Sequence, residues 1–371
     1  MDQEHRDEND QKTKMKEILN LCLLIAISSI ASISIGLASC ESQASNTRSE
    51  TIGDNADPAD SITLCSQNLF RFEAKIGNKK SMTQENFLVQ RFIDAQCNLV
   101  AVQEVFGETK EQAQGNLNHI AVQLSSKARK KFTALVGETN DKTLRNGFIV
   151  DTTSLEILSQ ESFNKRPLRS LDPLSPPGHF SRGPFGVTIK LKHRNSSMSP
   201  KTLFALSFHL KSKANAYKDP TGYSFEPLRM EMAETLRRLA EEELKRNPDS
   251  IVAILGDMNS PPKSASSEIL RGELTLADFR KGKCKLNSLL EATCDRKRNR
   301  RAKFKGLIYN KTKRKQLCGD ATGTYKYRGK IELIDDITVP TSQLKIYTPP
   351  SLLGDFNKGS DHLLVRATFN L

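Results

Sequence analysis

Nowhere in the 371 residues is there a Cys-x-x-Cys pair or a His-Glu-x-x-His stretch, so the common seats for zinc are missing. No internal repeat is visible, which sets aside solenoids, propellers and other arrays. Acidic side chains are nearly absent from one region. Between Arg280 and Lys315 there are fifteen Lys or Arg, and only Glu291 and Asp295 oppose them. This stretch, containing "RKRNRRAKFKGLIYNKTKRK", reads either as an arm that tracks phosphates or as a solvated loop.

The first forty residues have a different character. An apolar run over 21–39 comes after Lys12, Lys14 and Lys16 and ends "LASC" at Cys40. A charged start, an apolar stretch and small residues before a cut describe a secretory signal. The ending resembles the lipobox of bacterial lipoproteins, which implies cleavage before Cys40, a diacylglyceryl anchor on its sulfur, and a membrane-anchored place in the bacterial cell envelope. The same run is nearly long enough to span a membrane uncleaved. A Ser/Asn/Asp-rich tether over 41–60 is expected to be flexible. Residues 61–371 are then enough for one large domain, with the basic arm at 280–315 inside it.

The formal net charge is +13; residues 1–40 hold four basic and six acidic side chains, so their removal raises it to about +15. Such an excess favours polyanions or anionic surfaces and is silent on the fold. Cys65 and Cys97 sit in apolar contexts and read as core residues. Cys294 and Cys318 bracket the basic arm and are placed to staple it, with Cys284 as a further candidate; connectivity cannot be read from spacing.

Short β-rich runs alternate with helical stretches. Strands are expected over 61–70, 98–106, 132–137, 147–151, 185–192, 203–210, 250–257, 331–339 and 363–371. Several are apolar without alternation, as strands covered on both faces are. "PLRMEMAETLRRLAEEELKRN" opens with Pro227 and sets Leu228, Met232, Leu236 and Leu239 on one helical face. Weaker helical patterns lie near 82–96 and 109–130. Two stacked sheets with helices outside would accommodate the doubly covered strands.

The chemistry gathers where the apolar runs stop. They end at Asn68, at Gln103-Glu104, at His209, at Asp257 and Asn259, and at Asp335; "GSDH" brings Asp361 and His362 just before the last strand. Singly, each is an ordinary strand-end or turn residue. Together they match the habit of catalytic side chains to sit on loops held by a rigid sheet. Carboxylates and amides without thiolates form a hard oxygen site suited to Mg²⁺, Mn²⁺ or Ca²⁺, and two imidazoles beside it complement a phosphate oxyanion.

"SQNLF", "VAVQEV", "SFHLKSK", "ILGDMNSPP", "TYKYRGKIELIDDI" and "GSDHLLV", in that order, resemble the motifs of the endonuclease/exonuclease/phosphatase superfamily, the pancreatic deoxyribonuclease-like fold. The resemblance covers about residues 61–371. It implies an α/β protein built as a four-layered α/β/β/α sandwich of two mainly antiparallel sheets with flanking helices, its site at one sheet rim. It implies Glu104 as the principal Mg²⁺ ligand, with Asn68 beside it and Asp361 near the metal. Asp257 would orient or deprotonate the attacking water, and Asn259 would fix that water or a phosphate oxygen. His209 would stabilise or protonate the leaving oxygen; His362, oriented by Asp335, would bind the scissile phosphate. Many relatives read "IDHI" where this chain has "IDDI", with Asp336 replacing a histidine outside those roles. Arg182 is either a substrate contact or an edge-strand ion pair, and Lys211 and Lys213 are placed to meet flanking phosphates.

The fold hosts several phosphoesterases and does not choose among them. Charge favours a metal-dependent nuclease acting on DNA or RNA, with no obligate protein partner inferred. A phosphatase or phospholipase is the alternative, though no hydrophobic or compact lid is obvious. A noncatalytic envelope protein that binds polyanions is a third reading, opposed by the intact set of acids and histidines.

Overall fold

The computed structural model describes residues 61–192, 202–213, 219, 222–295, 301–308, 323–327, 329–346, 348, 350–356 and 358–370. Cys40, Cys318, the tether and much of the basic arm lie outside the described residues. No described helix is long and apolar enough to cross a membrane.

In chain order the strands and helices are β1 (Ser61–Phe72), α1 (Lys79–Asp94), β2 (Leu99–Phe106), α2 (Lys110–Ala128), β3 (Phe132–Val136), β4 (Leu144–Asp151), β5 (Leu155–Ser162), β6 (Phe185–Leu191) and β7 (Thr202–His209). Then come α3 (Glu226–Arg246), β8 (Ile251–Asp257), α4 (Ala265–Leu270), α5 (Leu276–Arg280), β9 (Cys284–Leu286), β10 (Ala292–Cys294) and β11 (Phe304–Gly306). The series closes with β12 (Tyr325–Tyr327), β13 (Lys330–Glu332), β14 (Asp335–Pro340), β15 (Ser351–Leu353) and β16 (Leu364–Asn370).

Two six-stranded sheets result, ordered β15-β16-β1-β2-β4-β3 and β11-β14-β8-β7-β6-β5. Each contains one parallel pair, β1 with β2 and β7 with β8, and each pair is joined through a helix, α1 or α3. All other ladders in the two sheets are antiparallel. A parallel pair needs a long crossover, and an amphipathic helix supplies it while covering the outer face of the sheet.

Side-chain alternation produces the layers. Along β8, Ile251, Ala253 and Leu255 enter the core between the sheets, with Leu64, Phe148, Val187 and Phe369. Val252 and Ile254 point the other way, onto Met232, Leu236 and Leu239 of α3. Across the molecule Val100 and Val102 of β2 meet Leu88 and Phe92 of α1 and Leu117 of α2. Strands buried on both faces are the reason for the non-alternating runs, and the sandwich is the expected α/β/β/α arrangement.

Four local details differ from the sequence reading. The run over 331–339 is broken into β13 and β14. β5, "LEILSQES", is an edge strand whose largely exposed residues gave no apolar run. Cys65 and Cys97 are buried core residues as expected, but they are also bonded to each other. Cys294 bonds Cys284, its direct partner across the β9–β10 hairpin, instead of stapling the arm to Cys318.

Candidate functional site

Register brings the strand ends together. His209 pairs with Asp257 across β7 and β8, and Asp257 pairs with Asp335 across β8 and β14, so three strand termini lie side by side on one rim. Gly256 makes this possible: a Cβ there would overlap the carbonyl oxygen of Phe208, so only glycine lets β7 run this close. The other sheet contributes Asn68 from β1 and Glu104 from β2, where the ladder slips between Asn68 and Phe72 and between Val102 and Val105. Such bulges re-aim side chains.

Backbone strain collects at the same place. Seven described non-glycine residues have positive φ, and four of them, Phe70, Arg71, Glu104 and Asn259, line one cavity of about 430 Å³. Strained backbone persists only where its surroundings hold it. Here the Phe70 N–H donates to Asn68 Oδ1 at 2.9 Å, and the Asn259 N–H donates to Asp257 Oδ1 at 2.7 Å. His209, Asp257, Asp361 and His362 line the same cavity.

Asp257 is the hub. Its Oδ2 accepts from Asn68 Nδ2 at 3.2 Å and lies 3.4 Å from His209 Nε2 and 3.9 Å from His362 Nε2. Burial and the charge of Asp335 raise its pKa, against the pull of His362. His362 Nδ1 is 2.7 Å from Asp335 Oδ2. Burial alone would lower this imidazole's pKa, but Asp335, Asp257 and Asp361 raise it to about 10, so the ring is a cation. His209 goes the other way: burial, Arg182 and the charge of His362 hold it well below the usual imidazole range. Arg182 Nη1 lies 2.6 Å from His209 Nε2, so that nitrogen accepts from the guanidinium and the ring is neutral. Two like groups pushed apart in this way take different duties.

The oxygen ligands expected for a metal divide into two sets. Asn68 turns its amide to Asp257 and its carbonyl oxygen to Phe70. Glu104 and Asp361 face the cavity; burial raises the Asp361 carboxyl to about 6, eased by His362 and reinforced by the charge of Glu104. Two carboxylates that repel each other without thiolates nearby fit a hard divalent cation. Asp257, Asp335 and His362 also present atoms within 4.8 Å of one another. Within that cluster the closest contact is the hydrogen bond between His362 Nδ1 and Asp335 Oδ2, which orients the ring and turns its Nε2 toward Asp257 Oδ2.

Arg182 reaches the site itself, with Asp141 a further 3.7 Å neighbour. Lys211 and Lys213 are not brought in. β7 has ended at His209, so Lys211 turns over the Phe225 ring at 4.9 Å and Lys213 pairs with Glu332 at 2.7 Å. Sequence reasoning gave no role to Arg91, whose buried guanidinium donates to Gln67 Oε1 and to the carbonyls of His362, Asp355 and Lys358. Its only trace was a charge among Leu88, Val89 and Phe92 on the buried side of α1. Tyr325 was also passed over. Its ring lies 4.7 Å from that of His362 and stacks on Tyr327 at 6.4 Å. Ser360 Oγ ties Asn68 to this loop, donating to the Asn68 carbonyl at 2.7 Å and accepting from the His362 N–H at 3.0 Å.

No protein-family model and no curated protein matches the chain. Among solved structures, the catalytic domain of human Nocturnin with a bound sulfate anion aligns over 84% of this chain and 94% of its own, at TM-score 0.50 and 11% identity. An endonuclease/exonuclease/phosphatase family protein from Bacteroides thetaiotaomicron covers 84% of this chain and 98% of its own, at TM-score 0.48 and 14% identity. A mannosyl-6-phosphatase from the same organism covers 82% and 98%, at TM-score 0.46 and 13% identity. At such identities the Nocturnin likeness speaks for architecture alone: the chain shares with that domain the fold of two packed six-stranded sheets with helices outside.

Proposed function

We propose that this chain is a divalent-metal-dependent phosphoester hydrolase, and within that class a nuclease. The observation that carries the hydrolase reading is the convergence on Asp257 Oδ2 of Asn68 from β1, His209 from the end of β7 and His362 from the loop before β16, with Asp257 and both histidines lining one cavity. Nuclease activity is supported by the net charge of +13 and by Arg71 and Lys326 on the cavity wall.

In this reading a water oxygen attacks phosphorus as its proton passes to Asp257 Oδ2, and the phosphorus–oxygen ester bond breaks on the far side. Asn68 and the Asn259 N–H keep Asp257 aimed, and burial gives its carboxylate enough basicity for the task. The His362 Nε2–H, charged through Asp335, meets the phosphoryl oxygens as their charge grows. Neutral His209 positions the Arg182 guanidinium, which adds a second cation. A cation held by Glu104 and Asp361 would offset negative charge on the leaving oxygen. His209 itself is a poor proton donor while neutral, so the sequence-based expectation of protonation by His209 gives way to this positioning role.

Assays on plasmid DNA, RNA and bis(p-nitrophenyl) phosphate test the reading. Activity should vanish with EDTA and return with Mg²⁺ or Mn²⁺, and Asp257→Ala should abolish hydrolysis while oligonucleotide binding remains. Full hydrolysis by Asp257→Ala would overturn it, as would a requirement for zinc alone. A lipid anchor at Cys40 in a bacterial envelope belongs to the same proposal; loss of radiolabelled palmitate from Cys40→Ala, with the chain released to the soluble fraction, checks it.

A further inference from the structure

A second cavity, of about 760 Å³, adjoins the first and shares Phe70, Arg71 and Asp361 with it. Its remaining wall comes largely from α1, with Lys79, Lys80 and Phe87. The mechanism above uses none of these α1 residues. Phe70 stands at the junction of the two cavities with 52% of its surface exposed, and Phe87 is 41% exposed.

Phe70 is held in place from several sides. Its φ is 53° and that of Arg71 is 54°, a conformation costly for non-glycine residues. The Phe70 N–H donates to Asn68 Oδ1, and Gln84 Nε2 donates to the Leu69 carbonyl at 2.8 Å. Asn68, in turn, donates to Asp257. The chain thus spends strain to fix an exposed aromatic ring one hydrogen-bonded residue away from the hub of the site. Beyond the ring lie two cationic side chains.

We propose that the second cavity takes the nucleoside next to the scissile phosphate of a single-stranded nucleic acid, its base stacked on Phe70 and its outer phosphate met by Lys79 and Lys80. This rests on the hydrolase reading and adds the form of the substrate. Every base offers a flat face, so stacking on a fixed aromatic is sequence-tolerant, and flanking lysines follow the backbone. A duplex offers no such face, because its bases are stacked and paired within the helix. Tyr327, 49% exposed and stacked on Tyr325 in the wall of the first cavity, offers a further platform beside His362. A membrane surface is the competing occupant, since Ile76 and Met82 are also exposed nearby in sequence. Charge complementarity and continuity with the phosphate cavity favour the nucleic acid.

The experiment uses the full chain, with a fluorescent dT12 strand, the same strand in duplex with dA12, and bis(p-nitrophenyl) phosphate, which has no base to stack. The single strand should be cut at least about tenfold faster than the duplex by kcat/KM, and its binding should be tighter by fluorescence anisotropy. Phe70→Ala should lower the ratio of single-strand to bis(p-nitrophenyl) phosphate kcat/KM by about five- to hundredfold, and Phe70→Trp should restore it. Lys79→Ala with Lys80→Ala should raise KM on the strand and flatten its salt dependence. Parallel loss on both substrates in Phe70→Ala, or no preference over duplex, would overturn the proposal. So would Phe70-dependent sedimentation with phosphatidylglycerol vesicles in the absence of Phe70-dependent strand binding. Failure of the wild-type chain to hydrolyse any substrate would sink the hydrolase reading alone; Phe70-dependent, strand-selective anisotropy would still uphold the cavity assignment.

Discussion

Asp335 Oδ2 and His362 Nδ1 are 2.7 Å apart, a contact that joins β14 of one sheet to the loop leading into β16 of the other. The two sheets therefore share a proton-bearing pair at their common rim.

Asp335→Asn keeps the shape of that contact and removes its charge. The imidazole then loses the largest influence that keeps it cationic. The expected result is a fall in kcat of about 10²- to 10⁴-fold with little change in melting temperature. Steady-state kinetics on bis(p-nitrophenyl) phosphate, beside a thermal melt, decide it. Equal kcat in the variant would remove His362 from the chemistry.

Gly256→Ala would drive a methyl group into the Phe208 carbonyl. β7 has to move away from β8, taking His209 from Asp257. A loss of about 1–3 kcal/mol in denaturant unfolding is expected, with activity reduced beyond what the unfolded fraction explains. A variant as stable and active as the parent would refute the close-approach argument.

Arg91→Met fills a similar volume but leaves Gln67 and the Asp355, Lys358 and His362 carbonyls without their donor. Urea unfolding should show a loss of about 1–3 kcal/mol or more. Hydrogen exchange should quicken over 355–362 before it does in the strands. Unchanged exchange there would mean that other contacts fix the loop.

Asp336 supplies a pH test away from the cavity. Burial raises its carboxyl from 3.8 to about 7, despite N–H donors from Ile308 and Ile337 and the charge of Arg271. Between those values the unfolded chain holds fewer protons than the folded one, so stability falls as pH rises through about 4 to 7 and then levels. Asp336→Asn keeps an Oδ1 acceptor for both N–H groups and lacks the charge. It should be more stable than the parent at pH 8, by on the order of 2–4 kcal/mol, with the gain shrinking toward pH 4. A gain that is the same at both pH values would contradict the assignment.

The sandwich was legible because strands buried on two faces lose their alternation, as β8 and β2 do, and because α3 carries a clear apolar stripe. The rim was legible for a related reason: an apolar run marks the strand, so the first polar residue after it marks the end. His209 and Asp257 close β7 and β8 in this way, whereas Asp335 opens β14, and register sets the three side by side. Direction was harder to read. Lys211 and Lys213 come soon after His209 in sequence, but once the strand ends nothing in the chain says where the next side chains turn. Pairing across the fold was hidden too. Arg91 binds a loop some 270 positions away, and the Cys65–Cys97 bond depends on how β1 lies beside β2. The charge states of the two histidines had no sequence trace, because each arises from neighbours that only the fold supplies.

One of these rings is charged and the other neutral while both face the same small volume. The two nonbridging oxygens of a phosphodiester seated there meet unequal partners. Sulfur in place of one should be accepted on one side and resisted on the other, so Rp and Sp phosphorothioate linkages should be cut at different rates.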